Sequence, residues 1–202
     1  MKTLYLICAL AMLSPVMFAQ NTATNYYSSL ANTTILIIRH AEKPATGYDL
    51  TTNGYKRADA YVGYFTNFTV NAKPIKLDYL FAATDSKGSH RPRLTLEPLC
   101  KATGLKIDTT FKSKDFKDLV DAIHSKTYGE NILICWHHEA IPQLAQALGA
   151  DLQQVFPDGK WPDDVYGWVI QLRFGPDGQL LDAKRINENL MPDDKSTGND
   201  HN

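Results

Sequence analysis

Cysteine is scarce in this sequence: three residues in 202, at Cys8, Cys100 and Cys135. None stands at metal-ligand spacing from another, and paired aspartates at such spacing are missing too, so the pattern offers no metal site. Cys100 and Cys135 lie in apolar contexts, Pro98-Leu99-Cys100 and Ile134-Cys135-Trp136, and read as buried thiols rather than as a disulfide. Excess charge is also lacking. Lys plus Arg number 21 against 22 Asp plus Glu, a formal net charge of −1 with no basic face, which excludes a dedicated nucleic-acid or acidic-membrane binder. Long apolar runs are few, and the most extended one, residues 4–18, is short for a membrane span. There is no internal repeat and no linker that would separate one domain from another. What remains, 44% hydrophobic and 21% charged, is ordinary globular composition with length for one domain and a substantial core.

The first residues carry a sorting pattern. Met1-Lys2-Thr3 is a short positive region, residues 4–18 are apolar, and Ala19-Gln20 offers a small residue at a cleavage point, so residues 1–19 read as a secretory signal peptide. Met17 stands where a small residue is preferred three places before the cut, which keeps an uncleaved anchor as the alternative. Cleavage removes Cys8 and implies a periplasmic or secreted protein without stable membrane insertion. Residues 20–33, rich in Asn, Thr and Ser, read as a flexible lead-in, 34–190 as the folded domain, and 191–202 as a disordered polar tail.

Within the domain, strand and helix alternate. Ile35-Leu36-Ile37-Ile38 is a strand buried on both faces and is followed directly by Arg39-His40. A helix from Thr51 or Thr52, its N-cap, to about Phe68 buries Tyr55, Ala58, Tyr61, Val62 and Phe65. A second strand spans 77–82. A helix follows from Pro92 to about Ala102, with Leu94, Leu99 and Cys100 inward, Gly104 past its end, and Pro98 expected to kink or shorten it. Residues 105–109 form a short strand and 114–126 an amphipathic helix. Ile132-Leu133-Ile134-Cys135-Trp136 is a fourth strand that ends in His137-His138, before a helix over 141–148. Residues 165–174 and 180–186 flank Gly175-Pro176-Asp177-Gly178, a hairpin turn. The architecture is therefore α/β: three layers, with a mostly parallel central sheet flanked by helices and an antiparallel hairpin at one edge.

Two buried strands that both end in histidine meet at one edge of a parallel sheet, where ligands bind beyond the strands' carboxyl ends. An Arg-His pair is common, but its repetition as strand-plus-histidine is not. Arg39-His40-Ala41-Glu42-Lys43, then Leu50-Thr51-Thr52-Asn53-Gly54-Tyr55-Lys56-Arg57-Ala58, then Arg91-Pro92-Arg93-Leu94-Thr95, then a histidine after Ile132-Leu133-Ile134-Cys135, come in a fixed order. Together they resemble the histidine phosphatase superfamily, the phosphoglycerate mutase-like phosphatases. The resemblance covers about Ile35 to Leu148.

The resemblance implies a phosphomonoester hydrolase in which His40 is the nucleophile and forms a phosphohistidine that water hydrolyses. Arg39 and Arg91 clamp the non-bridging oxygens, a late histidine adds another donor, and no metal or other cofactor is involved. Lys43, which recurs with Glu42 in one branch, joins the phosphate-binding set. Glu139 is the first candidate for proton donor to the leaving group, and Asp85 the second. Against these roles stand plainer ones: Arg91 as a solvated residue or a partner of Glu97 or Asp85, and His90, His124 and His201 as bystanders. Three departures stand out: Ala41 in place of the usual glycine, a loop from Thr84 to His90 without the usual Ser-Pro-Leu, and two late histidines where the family has one. His137 has the ordinary spacing to Ile141. His138 is preferred, because Trp136 ends the strand and Glu139 then follows the catalytic histidine. The substrate is a small phosphoester. The alternative is a non-catalytic phosphate-binding or scaffold protein that keeps the pocket without turnover; oligomeric state is not legible.

Overall fold

Alternating apolar residues that must be buried on two faces dictate a layered molecule. A computed structural model of the chain describes residues 29–192 and Asp194. The first strand, β1 (Thr34–Arg39), is buried at every position. Its side chains alternate, so Ile35 and Ile37 join one apolar cluster while Leu36 and Ile38 join the other. The helix α1 (Thr52–Thr66) starts at Thr51, whose hydroxyl accepts from the Gly54 backbone N–H at 3.0 Å. A two-stranded ribbon, β2 (Thr69–Val70) and β3 (Lys73–Pro74), comes next, a feature without a sequence signal. Then follow β4 (Tyr79–Ala82), α2 (Arg91–Thr103), β5 (Ile107–Asp108), a 3-10 turn at Ser113–Asp115, α3 (Phe116–Ser125), β6 (Asn131–Trp136), α4 (Ile141–Ala147), the single turn α5 (Leu152–Val155), β7 (Trp168–Phe174) and β8 (Leu180–Asn187).

The main sheet has six strands in the order β5-β4-β6-β1-β7-β8. Parallel pairing joins β5, β4, β6 and β1, while β7 runs antiparallel to β1 and to β8. The expected architecture is therefore present, with the hairpin at the edge. Helices α1 and α2 supply Tyr61, Phe65, Leu96 and Leu99 to one face, and α3, α4 and α5 supply Leu119, Ile123, Leu144 and Val155 to the other. No described helix is long and apolar enough to cross a membrane. Cys135 is buried, Cys100 is partly buried, and both are free thiols.

Local expectations shift where distant partners intervene. In α1 the inward stripe is Gly54, Arg57, Ala58, Tyr61 and Phe65. Tyr55, expected inside, is 44% exposed, because Arg57 takes the inward position further along the helix. Gly54 is required there: a Cβ would stand 2.6 Å from the Glu42 carbonyl oxygen. Helix α2 is not shortened by Pro98 but continues to Thr103, where Gly104 caps it at φ 75°. One lost backbone bond and its clash cost about 3 kcal/mol. Leu96 and Leu99, both at 0% exposure, flank the proline. Burying each is worth roughly 1.5–3 kcal/mol, which offsets the break. Leu94 and Cys100, expected inward, are only partly buried.

The ends of the domain also differ from expectation. The lead-in is packed from Ser29 onward: Leu30 is fully buried, and the Ser29 hydroxyl donates to Ile123 O at 2.8 Å. The boundary at 190 is likewise too early, since the Asp194 carboxylate accepts from the backbone N–H groups of Leu190 and Met191 and pairs with Arg57. The segment 1–19, expected to be a signal peptide, lead-in residues 20–28, and tail residues 193 and 195–202, His201 among them, lie outside the described residues.

Candidate active site

The site lies where β1 and β6 end side by side. Arg39 pairs in register with Trp136, and the His40 N–H donates to Trp136 O at 3.0 Å, which carries the ladder one residue past the strand. The next turn is tied to both helices of one face. The Ala41 N–H donates to Thr95 Oγ1 on α2 at 2.9 Å, and the Thr51 N–H at the start of α1 donates to Glu42 O at 2.9 Å. Thr95 donates in turn to Arg91 O at 2.8 Å. The Arg91–Thr95 spacing noted in the sequence is thus the link that seats the residue following His40.

His40 is 2% exposed. Its Nδ1 lies 2.7 Å from Ala41 O, and a carbonyl only accepts, so the proton sits on Nδ1 and Nε2 keeps its lone pair. Burial, joined by the positive fields of His137, Arg39 and Arg91, pushes this imidazole down to about 2, against the opposing pull of its bond to Ala41 O. The ring is therefore neutral at ordinary pH. His137 meets it edge to face, with centroids 5.2 Å apart at 71°. Burial and the Arg91 charge push His137 down to about 4.

Arg39 has a different setting. Its side chain is fully buried, and Nη1 donates to three carbonyls: Pro162 at 3.1 Å, Asp163 at 2.8 Å and Val165 at 2.8 Å. The Tyr166 ring covers the guanidinium at 3.9 Å and lies 6.3 Å from the His40 ring. Nε and Nη2 are buried with no hydrogen-bond partner among the described residues. A guanidinium stays charged in proteins, so two charge-bearing donors are held ready for an anion.

Arg91, half-buried, donates from Nε to Asp49 O at 3.2 Å and from Nη2 to Gly47 O at 2.6 Å, which pins the loop that follows Lys43. The carboxylates named as its plainer partners, Asp85 and Glu97, pair with Arg93 instead. The same pairing ties Asp85, the second proton-donor candidate, to Arg93. Lys43 and Glu139 are exposed; burial lowers His138 as it lowers His137, and the nearby Glu139 charge opposes both shifts. His90 pairs with Asp49 at 2.9 Å, and His124 is exposed. His138 turns away from His40, with Nε2 3.0 Å from the Asp163 carboxylate. The two late histidines thus have different partners: His137 packs against His40, whereas His138, the one preferred from the sequence, pairs with Asp163. Among the described residues no group of three or more His, Cys, Asp or Glu side chains is placed to hold a metal ion.

No family model matches the sequence. No curated protein matches it either. Solved structures do. The protein histidine phosphatase SixA complexed with tungstate aligns with a TM-score of 0.52 at 13% identity, over 77% of this chain and 97% of that one. Phosphoglycerate mutase from Plasmodium falciparum gives 0.51 at 17% identity, over 75% and 88% of the two chains. The alpha-ribazole phosphatase from Shigella flexneri gives 0.50 at 11% identity, over 72% and 92%. The fold is that of the histidine phosphatases and phosphoglycerate mutases.

Within this histidine phosphatase fold, residues not singled out as site candidates surround the site. The loop from Trp161 to Tyr166 supplies carbonyls and a ring around Arg39, yet the sequence placed it at the mouth of a strand beginning at Val165. The strand begins at Trp168, because the carbonyls before it accept from Arg39. The other addition is Arg57, at 2% exposure, which bonds Glu42, Glu188 and Asp194. It stood in the quoted motif, but the only signal for its burial was an acidic residue two places after His40.

Proposed function

We propose that this chain is a phosphomonoester hydrolase of the histidine phosphatase superfamily that works through a phosphohistidine on His40. The observation that carries the reading is the pairing of a neutral His40, whose Nε2 lone pair is free, with the buried and unpaired Nε and Nη2 of Arg39. A tetrahedral dianion between them would satisfy both. The fold likeness to a phosphatase complexed with tungstate, itself a tetrahedral oxyanion, supports the same ligand chemistry.

In this reading His40 Nε2 attacks phosphorus while Arg39, Arg91 and His137 bear the charge on the non-bridging oxygens. The bond to the leaving oxygen breaks, and Glu139 gives that oxygen a proton. Water then attacks the phosphohistidine, giving a proton to the Glu139 carboxylate as the phosphorus–Nε2 bond breaks, which releases inorganic phosphate and regenerates both His40 and Glu139. Ala41 O holds the proton on Nδ1 throughout, which keeps the reacting nitrogen fixed. Chemistry of this kind draws its positive charge from the protein, and no metal is involved. The proposed substrate is a small phosphoester, and the leader pattern in the sequence is the support for a periplasmic or secreted location.

The test is hydrolysis of p-nitrophenyl phosphate in EDTA, with acid-quench trapping of label. Wild type should form an acid-labile, base-stable phosphoryl adduct, and His40→Ala should lose both adduct and rate, the latter on the order of a thousandfold or more. Turnover without an adduct refutes the mechanism. Tight vanadate binding without turnover would make the chain a phosphate-binding protein instead.

A further inference from the structure

We propose that His138 and Asp163 form a latch that sets the guanidinium of Arg39, so that His138 is a positioning residue and not a phosphate ligand; this rests on the phosphate site proposed above. Asp163 is held twice. Its carbonyl accepts from Arg39 Nη1 at 2.8 Å, and its carboxylate accepts from His138 Nε2 at 3.0 Å. One residue thereby connects the late-histidine turn to the phosphate arginine.

The surroundings explain why a latch is needed. Trp161 anchors one end of the loop in the core at 2% exposure and donates from Nε1 to Val165 O at 2.8 Å. Val165 O and Pro162 O also accept from Arg39. Yet the Asp163 side chain is 91% exposed, so this carbonyl cage stands at the protein surface around a buried charge. An untied surface loop frays, and a guanidinium that loses its cage rotates, which misdirects Nε and Nη2. His138, at 8% side-chain exposure, ties the loop to the end of β6. The same dipeptide presents His137 to His40 at 5.2 Å. The chain leaves β6 at Trp136 and turns here, so one histidine packs against His40 while the other reaches the loop around Arg39.

The test uses the full chain and its Asp163→Ala, His138→Ala, double and His138→Gln variants. Three readouts are needed: kcat and KM on p-nitrophenyl phosphate, vanadate affinity by calorimetry, and the Arg39 guanidinium NMR signals, assigned with Arg39→Lys. A hydrogen bond to an exposed carboxylate is modest, so Asp163→Ala should weaken vanadate binding and raise KM by about fivefold. It should leave kcat within about twofold. The double variant should be no worse than His138→Ala, the sign of a coupled pair. His138→Gln, whose amide reaches as Nε2 does, should recover most of the affinity. If Asp163→Ala behaves as wild type while His138→Gln loses about a hundredfold in kcat, His138 acts on the substrate and the latch is wrong. Should wild type neither turn over nor bind vanadate, the phosphatase reading fails, and the latch is judged on NMR alone. Arg39 Nη signals restricted in wild type and averaged in Asp163→Ala support it; unchanged signals overturn it.

Discussion

Removing the Arg57 guanidinium should be among the most damaging single changes in this domain. Arg57 is 2% exposed and sits against Glu42 at 2.8 Å, Glu188 at 3.1 Å and Asp194. Glu188 is fully buried, accepts from Tyr61 as well, and is pushed up to about 8 by that burial. Arg57→Met keeps the volume of the stem and deletes the cation that these three acids share. Stripping one partner from a buried pair costs about 3–5 kcal/mol. In a domain of this size each kcal/mol lowers Tm by about 2–4 °C, so the loss should be roughly 12 °C. The pH dependence has a definite sign. A carboxyl whose folded pKa is raised contributes stability below its unfolded value that is lost as pH rises through the folded one. Without Arg57, Glu188 loses the charge that opposes its raise and Asp194 the partner that lowers it, so the deficit should grow as pH rises and be smaller at pH 5 than at pH 8. Urea unfolding at the two pH values measures this directly. Arg57→Met combined with Glu188→Gln should regain at least about half the loss, because the most buried charge is gone. A deficit under about 1 kcal/mol at pH 8, or a double variant no better than the single, would refute this account of the cluster.

The site makes two further predictions. His137→Ala should cost about a hundredfold or more in kcat/KM and exceed the loss in His138→Ala by at least about tenfold; the reverse order, measured on the same substrate, would return His138 to the phosphate. With His40 pushed down to about 2 and His137 to about 4, the kcat/KM profile of the free enzyme should show no loss of nucleophile near pH 6.5. The linked stability has the matching sign: both histidines are neutral when folded, so their contribution is whole above about 6.5 and declines as pH falls below it. An acid limb centred at 6 to 7 in kcat/KM would count against a pre-neutralised His40.

The two strands that carry the histidines were legible because four or five consecutive apolar residues leave few alternatives to a strand buried on both faces. The Arg91–Thr95 spacing was legible as well, since both members lie on one helix one turn apart. The caging of Arg39 was not, because backbone carbonyls at 162, 163 and 165 carry no side-chain signature. Nor was the burial of Arg57: its partners come from residues 42, 188 and 194, and no local pattern joins them. The choice between His137 and His138 was not legible for a narrower reason. Strand periodicity gives opposite faces to adjacent residues, but which one faces inward depends on where pairing stops, and that is set by the Arg39–Trp136 register.

The sheet order has a consequence for how the protein is made. Strand β1 is synthesised first, yet it lies between β6, residues 131–136, and β7, residues 168–174. Until those segments emerge, a strand with four consecutive apolar residues has two open edges, the kind of segment that recruits other chains. Nearly the whole chain must therefore exist before His40 has its neighbours, and folding is governed by long loop closures rather than by local helix formation. Any truncation ahead of Phe174 leaves the histidine-bearing strand open on the β7 side, so shortened forms should aggregate rather than retain partial activity.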